Sequence, residues 1–309
     1  MRVYTHPACL EHDPGADHPE SPARLRAVLN ALDAPQFAAL QRLEAPRATR
    51  EQLERVHDAA YVDRIFASAP REGHARLDPD TVMSAGSLDA ALRAAGAAVA
   101  ATDAVLSNET HRAFCAVRPP GHHATHDHAM GFCLFNSVAV AAAHALAVHG
   151  LQRVAIVDFD VHHGNGTQDI FQHDARVMYA SSHQMPLYPG TGAASEHGDG
   201  NVLNAPLAPG AGSVEFRAAW NKILLPELEM FRPQLLLVSA GFDAHARDPL
   251  ADLKLATDDY AWITQRLCEL AERHADGRVV SALEGGYDLV ALRECTAAHV
   301  AALATPARV

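Results

Sequence analysis

The sequence lacks the features that mark secreted, membrane-bound and nucleic-acid-binding proteins. It has 25 Lys and Arg against 37 Asp and Glu, and a formal charge of −12 argues against binding to a phosphate backbone or an anionic membrane. The five cysteines are widely spaced without a C-x-x-C pair, so neither a disulfide framework nor a thiolate zinc site is predicted. No stretch has the length and apolarity of a signal peptide or a membrane span. We therefore expect a cytoplasmic protein with no direct nucleic-acid or membrane partner.

The composition that is present fits one large globular domain spanning residues 1–309, since 49% of the residues are hydrophobic. Short apolar segments alternate with segments of helical periodicity, and this succession predicts an α/β fold with a largely parallel sheet. After a first strand near Val3, the predicted strands are residues 113–117, 153–158, 176–181, 235–240 and 279–283. The first predicted helix begins after Ser21, and the last one ends the chain. The helices predicted between them cover about 50–67, 84–107, 136–150, 213–231 and 258–275.

Two segments are predicted to be loops. Residues 70–80 form a connection with Gly, Pro and Asp, and residues 184–212 have many Pro and Gly and no periodicity. Loops of the second length are usually functional or disordered, and the pair Tyr188-Pro189 favours an ordered binding loop. Pro226 is expected to break or kink its helix. Glu20 is interpreted as ordinary loop polarity.

Polar residues follow four of the predicted strands, in segments 117–123, 158–165, 240–245 and 283–287. In an open parallel sheet the ligand crevice lies beyond the carboxyl ends of the strands. The sequence therefore predicts that these four segments meet.

One of these segments has the residue types of a metal site. In an extended backbone Asp158, Asp160 and His162 project to the same side. Asp160 and His162 supply two ligands, and Asp243, at the end of another strand, is the predicted third. Catalytic zinc sites use three such protein ligands and leave a fourth position to water. A single strand-end Asp more often caps a helix, but the joint pattern favours a metal.

The neighbouring segments supply groups that handle protons. His122 and His123 offer a base for water and an acid for a leaving amine. Asp158 is the expected acceptor for the second nitrogen of His122 and Asn165 that for His123, so the two rings should differ in pKa. Tyr287 is the expected hydrogen-bond donor to an oxyanion.

Taken together, these motifs resemble the zinc-dependent histone deacetylase family, in its class II and bacterial amidohydrolase-like branch. The resemblance covers nearly the whole chain and rests on Arg118-Pro119-Pro120-Gly121-His122-His123, Gly131-Phe132-Cys133, residues 158–168, Gly241-Phe242-Asp243 and Glu284-Gly285-Gly286-Tyr287. It implies a single-domain arginase/deacetylase-like fold with an eight-stranded, mainly parallel sheet flanked by helices.

The resemblance also implies roles for individual residues. It places one catalytic Zn²⁺ on Asp160, His162 and Asp243, the catalytic histidine pair at His122 and His123, and the oxyanion donor at Tyr287. A structural K⁺ is implied at Asp158, Ser181 and the backbone carbonyls of Asp160 and His162. Substrate contacts are implied at Gly131, Phe132, Tyr188 and Leu250, with Tyr188 in place of the family's usual Phe. Asn165 stands where class I members carry Asp.

The implied reaction is removal of acetyl or other acyl groups from the ε-amine of lysine in peptides or proteins by metal-activated water. An acetylpolyamine amidohydrolase acting on acylated small amines is the alternative, although Leu250 stands where such enzymes place an acidic gatekeeper. A dimanganese ureohydrolase would need an Asp at Gly164, and a non-catalytic acyl-lysine reader would not need the histidine pair and Tyr287. The sequence is compatible with a homo-oligomer.

Overall fold

The computed structural model describes residues 1–305 and contains one sheet of eight parallel strands. Its strands are β1 (Arg2–Thr5), β2 (Gln41–Glu44), β5 (Arg112–Cys115), β6 (Val154–Asp158), β7 (Val177–Gln184), β8 (Val202–Leu207), β9 (Leu235–Ala240) and β10 (Val279–Leu283); β3 (His74–Arg76) and β4 (Val82–Ser84) form a separate antiparallel pair. The order in the large sheet is β2-β1-β5-β10-β9-β6-β7-β8. The predicted α/β class and eight-stranded sheet are confirmed.

Ten α-helices flank the sheet within residues 1–305. They are α1 (Pro22–Leu32), α2 (Arg50–Leu53), α3 (Ala59–Ser68), α4 (Ser87–Leu106), α5 (Ser137–His149), α6 (Asn165–Phe171), α7 (Ser213–Ala219), α8 (Leu225–Phe231), α9 (Thr257–His274) and α10 (Leu289–Ala304). Every residue of β5, β6, β7, β9 and β10 is buried. Because successive side chains point to opposite faces of a strand, both faces of the sheet are covered. No helix of the described residues combines the length and apolarity needed to cross a membrane.

The structure corrects several predicted elements. Residues 184–212 are not a continuous loop, because they contain β8 at one edge of the sheet. The strand β2, at the opposite edge, was also not predicted. The loop at 70–80 contains β3, the predicted helix at 50–67 is divided into α2 and α3, and the helix predicted from Ser84 begins at Ser87 because Ser84 belongs to β4.

Pro226 does not break the helical segment 213–231. A π-turn at Trp220–Leu224 connects α7 to α8, and the N–H of Leu225 bonds to the carbonyl of Trp220, five residues earlier. Pro226 is the second residue of α8, directly after the π-turn, and it has no N–H to donate to the preceding turn. The chain stays helical because the wider π-turn before α8 accommodates the proline.

The sheet aligns the four polar segments. In the register of β6, β9 and β10, Asp158 is paired with Ser239, and Ala240 with Leu283. The strand β5 pairs with β10 on its other side, with Cys115 opposite Ala282. The carboxyl ends of these four neighbouring strands therefore lie at one edge, and the predicted meeting of the segments that follow them is confirmed.

Candidate active site

Three side chains that the sequence predicted as metal ligands come together at this edge. Nδ1 of His162 lies 3.2 Å from Oδ1 of Asp160 and 3.2 Å from Oδ2 of Asp243. One ligand atom from each of the three residues lies within 4.8 Å of the others. All three side chains are buried.

The donor set fits a divalent cation. Two carboxylates and an imidazole nitrogen are ordinary zinc ligands, and three of them leave a coordination position for water. Burial, followed by the charge of Asp160, raises the pKa of Asp243 to about 7. The two buried carboxylates beside one imidazole repel each other, and a bound divalent cation would offset this repulsion. These residues would hold the metal that the family resemblance implies.

The predicted histidine pair lies beside this group, each ring with its predicted partner. Nδ1 of His122 is 2.9 Å from Oδ2 of Asp158, and Nδ1 of His123 is 2.8 Å from Oδ1 of Asn165. Burial opposes a charge on His122, but Asp160 and Asp158 outweigh it and raise the pKa of this ring well above its usual value. For His123, burial and the neighbouring charges of His122 and His162 lower the pKa well below its usual value. The two rings therefore differ in pKa, as the sequence predicted.

The ring of Tyr287 is held in place by contacts with two neighbouring side chains. The guanidinium of Arg24 lies 4.7 Å from the ring centroid, and the ring of Phe132 meets it edge-on at 5.9 Å. Arg24 also donates from Nε to the carbonyl of Gly286 at 2.6 Å, which fixes the loop that carries the tyrosine. Burial raises the pKa of the Tyr287 phenol well above its usual value, so the group remains a donor at neutral pH.

A cavity of about 200 Å³ opens above these residues. All four residues predicted to contact substrate line it, together with three of the predicted catalytic and metal-binding residues: Gly131, Phe132, Tyr188 and Leu250, with His123, His162 and Tyr287. The ring of Tyr188 meets that of His123 edge-on at 5.3 Å, and its side chain is 39% exposed at the opening. The cavity is thus a short channel with largely apolar walls that leads to the histidine and the metal-ligand group.

Comparison with known proteins identifies this arrangement. The sequence matches the model of the histone deacetylase domain over residues 18–303. The chain belongs to the histone deacetylase family. Its family makes it a hydrolase that acts on amides.

Individual members of the histone deacetylase family resemble the chain over most of its length. It is 45% identical over 278 residues to the histone deacetylase-like amidohydrolase of Pseudomonas aeruginosa, covering 88% of this chain and 73% of that protein. A probable deacetylase of Archaeoglobus fulgidus is 40% identical over 294 residues, covering 93% of this chain and 81% of that one. The crystal structure of the HDA15 HD domain superimposes with a TM-score of 0.92 at 36% identity, covering 98% of this chain and 87% of that chain.

The wall of the channel in this family member depends on unusual backbone at two positions. Gly131 and Phe132 have φ of 56° and 68°, in the left-handed region. The N–H of Gly131 donates to Oδ1 of Asp80 at 3.0 Å, and that of Phe132 donates to Oγ1 of Thr81 at 3.0 Å. A Cβ at Gly131 would lie 2.3 Å from Cδ2 of His123, so only glycine fits against this ring.

The residues predicted to bind potassium lie next to the metal-ligand group. Asp158 and Ser181 are register partners on β6 and β7, and both are buried. Oδ1 of Asp158 accepts the N–H of Asp160 at 3.1 Å, and Oγ of Ser181 is 2.9 Å from Nδ1 of His183. A carboxylate, a hydroxyl and strand-end carbonyls are the oxygen ligands that hard cations prefer. Potassium at this position stays a prediction.

Three buried carboxylates near the site were not predicted to act there. Glu284 accepts the N–H groups of Gly121 at 2.6 Å and His122 at 3.2 Å, and burial raises its pKa to about 7. Glu20, interpreted from the sequence as loop polarity, is fully buried and binds Arg24 and Arg118. The third is Asp248. A Glu that directly follows a buried strand was a signal for Glu284, but nothing in the sequence linked Glu20 to its distant partners.

Asp248 joins the loop of the channel wall to the loop of the tyrosine. Its Oδ1 accepts the N–H of Leu250 at 3.1 Å, and its Oδ2 accepts those of Tyr287 at 2.7 Å and Asp288 at 3.3 Å. The carboxylate is buried, so each of these N–H groups depends on it. One side chain therefore sets the position of both Leu250 and Tyr287.

We expect Asp248→Asn to lower turnover about 10- to 100-fold, since a buried donor left without its acceptor costs about 1–3 kcal/mol. The amide NH₂ would face the N–H of Leu250 or that of Tyr287, and one loop would move. The measurement is kcat together with metal content, which should not change. Asp252→Asn, an exposed change in the same loop, is the matched control. Equal turnover in the two variants would contradict this role for Asp248.

Proposed function

We propose that the protein is a zinc-dependent amidohydrolase that removes acetyl or other acyl groups from the ε-amine of lysine. The observation that carries the proposal is the convergence of Asp160, His162 and Asp243 at a channel also lined by His123 and Tyr287. A bound metal ion supplies two kinds of chemistry, lowering the pKa of a water molecule and polarising the acyl carbonyl. The chain's own residues supply the proton transfers and the shape of the site.

The proton transfers fall to His123. The Oδ1 of Asn165 accepts a hydrogen bond from its Nδ1, so the neutral ring carries its proton there and has a free electron pair at Nε2. Its lowered pKa keeps the ring neutral at pH 7, ready to take a proton from water at Nε2 and to return it to the leaving amine. His122, charged and donating to Asp158, stabilises negative charge beside it. The two histidines are proposed to have different roles because His122 donates to a charged carboxylate and His123 donates to a neutral amide oxygen.

Tyr287 is proposed to donate its phenolic hydrogen to the oxyanion that forms when water attacks the carbonyl. Its raised pKa keeps the hydrogen on the phenol, and Arg24 and Phe132 hold the ring from two sides. Donors fixed in place before the reaction stabilise the transition state more than water can, because they need no reorganisation.

The lining of the channel supports an acyl-lysine substrate. Phe132, Tyr188 and Leu250 offer apolar surface to the methylene stem of lysine, and Leu250 places no charge near the amine. The test is a panel of substrates given to the zinc-loaded protein, with an acetyl-lysine peptide, its longer acyl analogues, acetylspermidine and acetylputrescine. We expect higher kcat/KM for a peptide, and a strong preference for the polyamines would establish the alternative, an acetylpolyamine amidohydrolase.

We expect Leu250→Glu to shift the preference toward acetylated polyamines. A carboxylate at the channel wall attracts the additional ammonium groups of a polyamine, and lysine within a peptide lacks them. The measurement is the ratio of kcat/KM for acetylspermidine to that for the acetyl-lysine peptide, which should rise about tenfold or more for 1.4 kcal/mol of differential binding. Leu250→Gln has a similar shape without the charge and serves as the control. A rise of the same size in the Gln variant would show that charge is not the cause.

A single catalytic metal ion is part of the proposal. Gly164 stands where a second bridging carboxylate would be needed for a dimetal ureohydrolase, and a Cβ there would lie 2.4 Å from Oδ2 of Asp158. Two manganese ions per chain at the active site would overturn the zinc amidohydrolase in favour of the ureohydrolase. The location in the cytoplasm and the structural K⁺ remain predictions.

A further inference from the structure

A second group of histidine and aspartate side chains lies on helices α4 and α5, apart from the channel. Nε2 of His144 and Nε2 of His149 each lie 2.7 Å from the same atom, Oδ1 of Asp103. The two rings are 5.6 Å apart and nearly perpendicular, at an interplanar angle of 66°. One ligand atom from each residue lies within 4.8 Å of the others, as in the active-site group.

We propose that Asp103, His144 and His149 form a second binding site, for a divalent transition-metal ion such as Zn²⁺. Two imidazole nitrogens and a carboxylate oxygen are ligands that zinc takes in proteins, with a fourth position for water. Ions such as Mg²⁺ and Ca²⁺ prefer oxygen ligands and would bind more weakly. The site needs no part of the amide-hydrolysing machinery and stands independently of the proposed function.

The surroundings allow an ion to reach this site. The side chains of Asp103 and His149 are 50% and 25% exposed, and that of His144 is 7% exposed. His149 is the last residue of α5, which ends at Gly150 with φ of 69°. The carboxyl end of a helix carries partial negative charge and favours cations, and the chain as a whole is acidic.

The guanidinium of Arg55 opposes a bound ion at this site, because it is positively charged and contacts His144. Its Nη1 donates to Nδ1 of His144 at 2.9 Å, and its Nη2 donates to Glu51 at 2.8 Å. Because a guanidinium only donates, Nδ1 of His144 carries no proton, and the proton of the neutral ring is on Nε2, directed at Asp103. A metal ion takes the neutral ring through an unprotonated Nε2, so the ring's single proton would have to be on Nδ1 instead. Arg55 could then no longer donate to His144, but it would keep Glu51 as a partner.

The test counts zinc ions in the full chain. Protein already loaded with one equivalent of Zn²⁺ is titrated with further Zn²⁺ by calorimetry, and the bound metal is measured by mass spectrometry after gel filtration. We expect the parent protein to bind a second equivalent of Zn²⁺. In Asp103→Asn and His149→Gln the affinity for it should fall about tenfold or more, since even residues that only hydrogen-bond to a metal ligand contribute about 10–100-fold to affinity. Turnover should stay at the parent level in both variants.

Arg55→Gln provides the opposite expectation, because removing the guanidinium should strengthen binding of the second ion. His173→Gln is the matched control, since His173 is an exposed histidine paired with a single carboxylate, that of Asp199 at 3.1 Å. Its change should leave the second equivalent unaltered. The proposal is overturned if the Arg55→Gln protein binds no second ion, or if Asp103→Asn and His149→Gln bind it as tightly as the parent.

Discussion

Replacing Tyr287 by Phe should lower kcat about 100- to 1,000-fold. The reason is that losing one hydrogen-bond donor to a developing oxyanion costs about 3–4 kcal/mol of transition-state stabilisation. The change removes only the phenolic oxygen. The ring keeps its contacts with Arg24 and Phe132, so the loop and the bound metal should stay in place. The measurements are kcat for an acetyl-lysine peptide and zinc content.

Tyr188→Phe is the matched control for this experiment. It also removes one phenolic oxygen from the wall of the same cavity, but at the exposed opening. Its ring would still face His123. We expect this variant to keep most of the turnover. If Tyr287→Phe were as active as Tyr188→Phe, Tyr287 would not be the oxyanion donor, and the proposed mechanism would fail at that step.

The second large effect is expected from Gly285→Ala, which should abolish tight zinc binding. Turnover should fall about 100-fold or more, because a shift of about 1 Å in a catalytic group can cause a loss of that size. A Cβ at this position would lie 2.0 Å from Oδ2 of Asp243 and 2.6 Å from Oδ2 of Asp160. Neither carboxylate is free to move, because Asp160 accepts the N–H of His162 and Asp243 accepts that of Val161, both at 2.9 Å.

The measurements for Gly285→Ala are zinc affinity by competition with a chelator, turnover, and circular dichroism to establish that the chain is folded. Gly212→Ala is the control, since a Cβ there meets nothing closer than the carbonyl of Lys254 at 3.4 Å. Neither glycine has φ in the left-handed region, so backbone strain does not separate the two variants. Normal zinc affinity in a folded Gly285→Ala protein would mean that Asp160 and Asp243 are not the ligands.

Much of the site could be predicted because its residues follow buried strands. Alternation was argued for an extended chain over Asp158, Asp160 and His162, whereas β6 ends at Asp158 and the next residues bend. The parallel sheet brings Asp243 and Tyr287 to the same edge. Both inferences depend on local pattern and on the general geometry of sheets. The structure brings these side chains together as expected, and their chemical roles stay predictions until the variants are measured.

The parts that sequence reasoning missed depend on distant partners or on exposed strands. The two strands of the large sheet that were missed, β2 and β8, lie at its edges, where partly exposed residues and Pro206 obscure the apolar pattern of a strand. In the sequence Glu20 looks like an ordinary loop residue, because its partner Arg118 is 98 positions away. In the structure Nη2 of Arg118 lies 2.6 Å from Oε2 of Glu20. Asp248 likewise gains its importance from the N–H of Tyr287.

The position of β10 has a consequence for how the protein is made. This strand, residues 279–283, lies between β5 and β9, so the two halves of the sheet stay unjoined until it is inserted. A ribosome must therefore synthesise most of the chain before the nascent protein can close its core, and until then two unpaired strand edges are open to other proteins. Chaperones that shield such edges during translation should raise the yield of folded protein, and truncation before β10 should give an aggregating product.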